Sequence, residues 1–432
     1  MRTMITRIAF ISIVSIFAFN SEVSAVQINA TSCSQTAVQA AVTSAVVGDT
    51  VSIPAGACTW TSDVSWSNKN INVIGSGIGN TIITSEGTVF DIIANSSPAS
   101  FRVSGMTIKG TAANATIFVQ SWGANNGNGA AIKGWRFDNI RFDYSYGTIF
   151  NVGGVSWGLI DNCTFDSTSG GGYTVLLPWS MINAEDPNPN IKGTYSAGLP
   201  VNLGSDEAIY IEDCTFNFTS GTTGIADGLY GSRVVIRHNT AKYTYFYTHS
   251  ARSRDRGAKV IEVYNNTFVG AGFFRPAQIR SGSGVIFNNT ITGYQLQAFS
   301  LDDQRACKIV VDSPLLACDG GRSWDGNIEA SGWPCLDQIG RGAGSPGSQV
   351  SMPLYIWNNG TTSTCATGGA CNNSVKFAVD ACAANYIKTT AHSNGVVDLV
   401  DNGSTPKPGY TAYTYPHPLR MLKQPTGIRV YN

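Results

Sequence analysis

The chain has 432 residues, a formal net charge of zero and only 13% charged side chains, with 47 glycines and 10 cysteines. A balanced charge excludes bulk attraction to nucleic acid or to an anionic membrane surface, and no apolar stretch reaches the roughly 20 residues that a membrane span needs. Length alone would suggest two or three domains, but glycine with abundant Thr, Val, Ile, Asn and Ser favours short strands and tight turns, which a repeat fold stacks into one body.

Residues 1–25, MRTMITRIAFISIVSIFAFNSEVSA, combine a basic start, an apolar middle and a small-residue end, and predict a secretory signal peptide cleaved near Ala25. An exported, extracellular or periplasmic chain oxidises its cysteines, so disulfides are expected before zinc, and no CxxC pair occurs. Residues 26–60 read as an N-terminal cap and first coil. There SCSQTAVQAAVTSA has helical spacing behind candidate caps Ser32 and Ser34, and Cys33 and Cys58 are placed to tie that helix over an open solenoid end.

Residues 61–300 carry a repeat. Seven related phrases occur: FRVSGMTI, FDNIRF, GLIDNCTF, IYIEDCTF, VVIRHNTA, IEVYNNTF and GVIFNNTI. Aligned on the residue before the Thr or Arg, they give the column Met106, Ile140, Cys163, Cys214, Asn239, Asn266 and Asn289, with most steps in the low twenties. That period describes one coil of a stacked parallel β-solenoid. Val103, Phe137, Ile160, Ile211, Ile236, Val263 and Ile286 on one side of the column, and Ile108, Phe142, Phe165, Phe216, Ala241, Phe268 and Ile291 on the other, are the expected inward stacks.

The column ends in asparagines, which predicts a ladder of amides bonded from coil to coil. Read alone, the NNT triplets contain glycosylation acceptors, but their shared column favours the ladder. Cys163 and Cys214 in this column are either bonded to each other or stacked as small fillers, and stacking is favoured. The long step between them predicts that GGGYTVLLPWSMINAEDPNPNIKGTYSAGLP leaves the coil as an excursion.

Residues 301–350 are glycine-rich and cysteine-bearing and read as a loop insertion; 351–432 hold the last coils and a tail. PLYIWNNG restores a coil at Asn359, while STPKPGYTAYTYPHPLR, with its prolines, is expected to run extended along the outside. Cys307, Cys318, Cys335, Cys365, Cys371 and Cys382 fall in or near the irregular parts, where staples are expected.

Local charge departs from the neutral total. Arg233, Arg237, Lys242, Arg252, Arg254, Arg256, Lys259, Arg275 and Arg280 face only Asp255 and Glu262, a balance of +7. On one flank such cations would make a trough for a polyanion, and paired guanidinium groups grip carboxylates through fork geometry. The alternative is an outer sheet made soluble by arginines. His249 is a candidate acid or base because imidazole titrates near neutrality, and its plain alternative is a hydrogen-bonding loop residue. His238 reads as outer-face scaffold, and Glu262 as an outward salt-bridge partner of the arginines.

From VSWGLIDNCTF to GVIFNNTI the chain resembles the pectate lyase superfamily, through IYIEDCTF at 209–216, DGLYGSRVVIRHNT at 227–240, THSARSRDRG at 248–257, EVYNNTF at 262–268 and RPAQIR at 275–280, in the family's order. The resemblance implies an all-β, single-stranded, right-handed parallel β-helix, here with an N-terminal capping helix and long cysteine-bearing loops. It also implies β-elimination on an acidic, uronate-containing polysaccharide, with Arg280 or Arg275 as base. Free arginine stays protonated, so carboxylate binding by both is the firmer expectation, with His249 as the ordinary base and Arg252, Arg254, Arg256, Arg237 and Glu262 as substrate contacts. Calcium is the candidate cofactor, with Asp227, Glu212 and Asp213 as ligands, although Asp213 replaces the motif's histidine, Glu212 its aspartate, and Gly231 stands where a second acid is often found. Two other classes stay open: a non-catalytic, glycan-binding surface solenoid, and a glycoside hydrolase using acids such as Asp302 and Asp303. Neither nucleic acid nor membrane is an expected partner, and the chain is expected to be a monomer.

Overall fold

A computed structural model of the chain describes residues 25–85, 87–94, 100–110, 117–120, 132–144, 148–167, 173–177, 194–219, 224–249, 256–270, 276–294, 299–301, 333–342, 350–361, 377–379, 387–388, 390–401 and 403–421. The expected signal peptide lies outside these residues except for Ala25. Among them, twenty strands form one parallel sheet, sheet A, and ten a second, sheet B. The chain is a parallel β-helix. Each coil runs from a sheet B strand to a first sheet A strand, bends, and continues along sheet A before returning; Gly224–Gly228, Arg233–Arg237, Thr240–Lys242 and Tyr245–Thr248 are one such passage.

The bend has a sequence cause. Gly105, Asn139, Asn162, Asp213, His238, Asn265, Asn288 and Asn358 all have positive φ, between 49° and 73°. Each stands one place before the repeat column. Glycine, asparagine, aspartate and histidine tolerate this left-handed conformation better than β-branched residues do, so the column before the ladder fixes the corner. The scaffold role expected of His238 is thus explained.

Both inward stacks are present in the expected register: Val103 pairs with Phe137, Phe137 with Ile160, Ile160 with Ile211, Ile211 with Ile236, Ile236 with Val263 and Val263 with Ile286. All are fully buried, each contributing about 1.5–3 kcal/mol of transfer free energy. On the other side Phe142, Phe165 and Phe216 stack at 4.9 and 4.8 Å with nearly parallel rings. The amide ladder runs Asn239–Asn266–Asn289–Asn359, with Nδ2 donating to the next Oδ1 at 3.0, 2.9 and 2.9 Å. Cys163 and Cys214 are free, buried and stacked, with Cys214 N–H donating to Asn239 Oδ1 at 2.9 Å.

Helix α1 (Gln35–Ser44) caps the first coil, its N-terminus closed by Ser34, whose side chain accepts from the Ala37 amide. Val38, Ala41 and Val42 are buried, and the Cys33–Cys58 disulfide joins the cap to the strand Gly56–Trp60. One boundary differs from the sequence reading. Tyr173–Leu177 is a strand of sheet B paired with Phe150–Gly153 and Gly224–Gly228 rather than part of the excursion. Within the rest of the excursion, short helix α2 spans Thr194–Gly198. Cys335 is disulfide-bonded. No helix among the described residues is long and apolar enough to cross a membrane.

Candidate functional site

The outer face of sheet A, where Arg237, Glu262 and Glu212 were expected to meet substrate or metal, is covered by the C-terminal tail. Asp138, Asp161, Glu212, Arg237, Tyr264, Phe287 and Trp357 form one outward column in register. Arg237 donates to Glu212 at 2.7 Å, to the Tyr264 hydroxyl at 3.0 Å, and to the carbonyls of Tyr413 and Thr414 at 2.7 and 2.9 Å. Glu262 accepts from the Tyr410 hydroxyl at 2.5 Å and the Gly204 amide at 2.8 Å. Burial pushes its carboxyl up, against those two bonds and Arg237, which pull it down. Glu262 therefore bonds to the tail and to the segment that follows the excursion, and Arg237 acts on it through charge without a direct bond.

The proposed calcium set is divided. Glu212 bonds Arg237 and the His417 amide, and Asp213 bonds the Tyr415 hydroxyl and Arg420, whereas Asp227 lies on sheet B. Among the described residues no group of three or more His, Cys, Asp or Glu side chains is arranged to hold a metal ion. These three residues do not converge because sheets A and B present them on different faces.

Arg256 is also committed internally. Its Nε and Nη2 both donate to Asp337 at 2.7 Å, and the Gly257 amide adds a third bond at 2.9 Å. Burial pushes Asp337 up, but Arg256 outweighs it and holds the carboxyl below its ordinary value. Beside this pair Lys259 is buried, and desolvation brings it down to about 7. Arg233, brought down to about 10 by burial, donates to the carbonyls of Leu199 and Val201 at the base of the excursion. The described cations are thus distributed over separate faces, with Arg233, Arg237, Arg256 and Lys259 buried and Lys242 exposed, and among the described residues they do not form the expected continuous basic trough. Arg252, Arg254 and Arg275 lie outside the described residues, as do Asp302 and Asp303.

A different grouping survives on sheet B. Asp227 and Tyr247 are register partners in adjacent coils, and Tyr247 pairs in turn with Gln278, two residues before Arg280. Ala226, Phe246 and Ile279 point into the core; alternation therefore turns Asp227, Tyr247 and Arg280 outward. His249, two residues after Tyr247, follows the same face. His249 Nδ1 lies 2.8 Å from Asp227 Oδ1, and its Nε2 lies 3.1 Å from the Tyr247 hydroxyl. Arg280 Nη1 donates to that same hydroxyl, and the guanidinium centre sits 4.4 Å from the Tyr247 ring centroid.

Backbone contacts fix these groups. Thr248, pointing inward and fully buried, accepts from the Arg280 amide at 2.9 Å and the Ser281 amide at 3.3 Å. Ser281 Oγ donates to the His249 carbonyl at 2.5 Å. Asp227 is 1% exposed and His249 14%, so the carboxylate is shielded while the imidazole keeps an edge towards solvent. An Asp carboxylate accepting from Nδ1–H sets the tautomer in which Nε2 accepts from Tyr247. The arrangement can move a proton along Tyr247, His249 and Asp227 while a guanidinium stabilises negative charge at the phenol oxygen.

The structure brings together His249, Arg280 and Asp227 from the sequence-based candidates, with Asp227 as the partner of an imidazole instead of a metal ligand. Tyr247 was missed. Its signal was present: in YTYFYTHS, Tyr245, Tyr247 and His249 alternate with Phe246 and Thr248, which places the first three on one strand face.

No protein-family model and no curated protein sequence matches the chain. Among solved structures it is similar to Geobacillus virus E2 ORF18, at 14% identity and a TM-score of 0.35 over 64% of this chain and 54% of that one. It is also similar to the catalytic domain of a GH87 α-1,3-glucanase in complex with nigerose, at 10% identity and a TM-score of 0.35 over 89% of this chain and 68% of that one. The chain therefore spans about half the length of the viral protein, and similarity this distant carries no argument about chemistry.

Proposed function

We propose that the protein is an exported polysaccharide lyase that cleaves a uronate-containing polymer by β-elimination at the sheet B cluster. The observation that carries this reading is the convergence of Arg280 with the Asp227–His249 pair through one phenol oxygen. β-Elimination needs a cation to hold the uronate carboxylate and stabilise the enolate-like anion, and an acid–base group for the neighbouring C–H; the cluster contains both. Arg280 supplies the cation and the imidazole system the proton acceptor. Hydrolysis of a glycoside uses two carboxyl groups about 5–9.5 Å apart, whereas this cluster contributes one, Asp227, which is bonded to His249.

The test incubates the mature protein with polygalacturonate, alginate and glycosaminoglycans, following the ultraviolet absorbance of unsaturated uronate beside a reducing-end assay. Lyase activity produces both signals. Reducing ends alone indicate hydrolysis, and binding without either signal indicates a non-catalytic glycan-binding solenoid. Chelation is expected to leave turnover unchanged, because two of the three candidate calcium ligands are bonded to the tail. Arg280→Ala is expected to abolish turnover or polymer binding with a nearly unchanged unfolding temperature; equal activity in that variant removes the residue from the site.

A further inference from the structure

Within that lyase reading, on which this inference rests, we propose that Tyr247 is the catalytic residue that removes the substrate proton, with His249 and Asp227 as its positioning and relay groups. Both ring nitrogens of His249 are already engaged, Nδ1 with Asp227 and Nε2 with the Tyr247 hydroxyl, so the imidazole reaches the substrate through the phenol. Arg280 acts as a donor to the same oxygen. One atom therefore joins the cation to the proton relay, and it is the Tyr247 oxygen. The assignment differs from the arginine base that the superfamily resemblance implies.

The proton and electron balance closes within these residues. The Tyr247 O–H proton passes to His249 Nε2, and Asp227 stabilises the imidazolium through Nδ1–H. The phenolate, beside the Arg280 guanidinium, takes the hydrogen on the carbon next to the uronate carboxylate. The C–H electron pair forms the new carbon–carbon double bond as the adjacent carbon–oxygen bond to the departing sugar breaks. Tyr247 then gives the captured proton to the departing oxygen and recovers its own from His249. No oxidant, reductant or added reactant enters, and a single residue serving as base and then acid requires both groups on one face of the sugar.

Tyr247→Phe tests the assignment because it deletes one oxygen and keeps the ring beneath the guanidinium, 4.4 Å from its centre. With whichever of alginate or a glycosaminoglycan the unaltered protein cleaves, since in polygalacturonate the proton and the departing oxygen lie on opposite faces, kcat is expected to fall by about 10²–10⁴-fold while KM changes by less than about threefold. His249→Gln is expected to lose kcat as well, and the double variant to be no slower than Tyr247→Phe alone, since groups acting as one unit are not additive. A merely structural Tyr247 would instead shift the unfolding temperature and add its loss to that of His249. Should Tyr247→Phe unfold, Asp227→Asn carries the same test through its own kcat loss. Retention of more than about a tenth of kcat in Tyr247→Phe overturns the role of Tyr247 and leaves the lyase reading standing. Absence of unsaturated product from the unaltered protein removes both.

Discussion

At the scale of single residues, the fold rests on two neighbouring columns with different roles. One residue adopts the left-handed corner, and the next turns its amide inward. Asn266 illustrates the inward amide, since its Nδ2 donates to the carbonyls of Ile236 and Tyr264 at 2.9 and 3.1 Å, and its Oδ1 accepts from Asn239 N–H and Nδ2 at 2.9 and 3.0 Å. Asn266→Ala leaves several buried groups without partners, each costing about 1–3 kcal/mol, so a loss of about 3–5 kcal/mol in chemical denaturation is expected. Asn265→Gly, at φ 57° on the exposed corner, should change stability by less than about 1 kcal/mol. Comparable losses for both would reject the division of labour. The amide ladder was legible because the column recurs in sequence. The left-handed column was equally visible as Asn, Asp or His one place earlier, but its meaning needed the corner geometry. Asp213 and His238 hold such corners, at φ 52° and 56°.

At the scale of elements, the tail decides which charges are available. The basic cluster between Arg233 and Arg280 is contiguous in sequence, yet a coil passes through three faces in that distance, so its members diverge. Sequence cannot show that Tyr410, Tyr413, Thr414, His417 and Arg420 would saturate the sheet A column, because those partners lie far along the chain, His417 for example 205 residues from Glu212. The prolines made the extended conformation legible, but not its docking site. Removing residues 403–432 would uncover Tyr264, Phe287 and Trp357, which stack at 4.7 and 4.3 Å, together with the ion pair between Arg237 and Glu212. The truncated protein is expected to bind a hydrophobic dye and to unfold at lower temperature; unchanged dye binding and unfolding would show that the tail does not seal this face. The sheet B cluster, by contrast, was half legible: His249 and Arg280 stand out chemically in the sequence, while Tyr247 is one aromatic in a stretch rich in them.

For the whole molecule, the sealed face predicts a pH dependence of stability. Burial, reinforced by Arg237 and Arg136, brings His417 down to about 3, and its Nδ1 accepts from the Leu419 amide at 3.2 Å, which requires the neutral ring. The unfolded chain binds this proton near pH 6.5. Its contribution is therefore fully present above that value and is lost progressively between about pH 6.5 and 3. Glu262, raised by burial, works in the opposite sense, gaining stability as pH falls through its folded value. His417→Gln should reduce the drop in unfolding temperature between about pH 7 and 4; an identical drop in the variant would assign acid sensitivity to other groups. The repeat made this architecture legible from sequence, since a recurring inward stack admits few alternatives, whereas the chemistry of the tail depended on contacts that no local pattern records.

A stack of coils ordinarily transmits force and disorder only from one rung to the next. Here the tail travels back along the pile, with Tyr410 on Glu262, Thr414 on Arg237, His417 on Glu212 and Arg420 near Asp161. It works like a seam stitched across successive rungs, so that loosening any one of them strains its neighbours together, and the pile is expected to melt as one unit instead of fraying from its end.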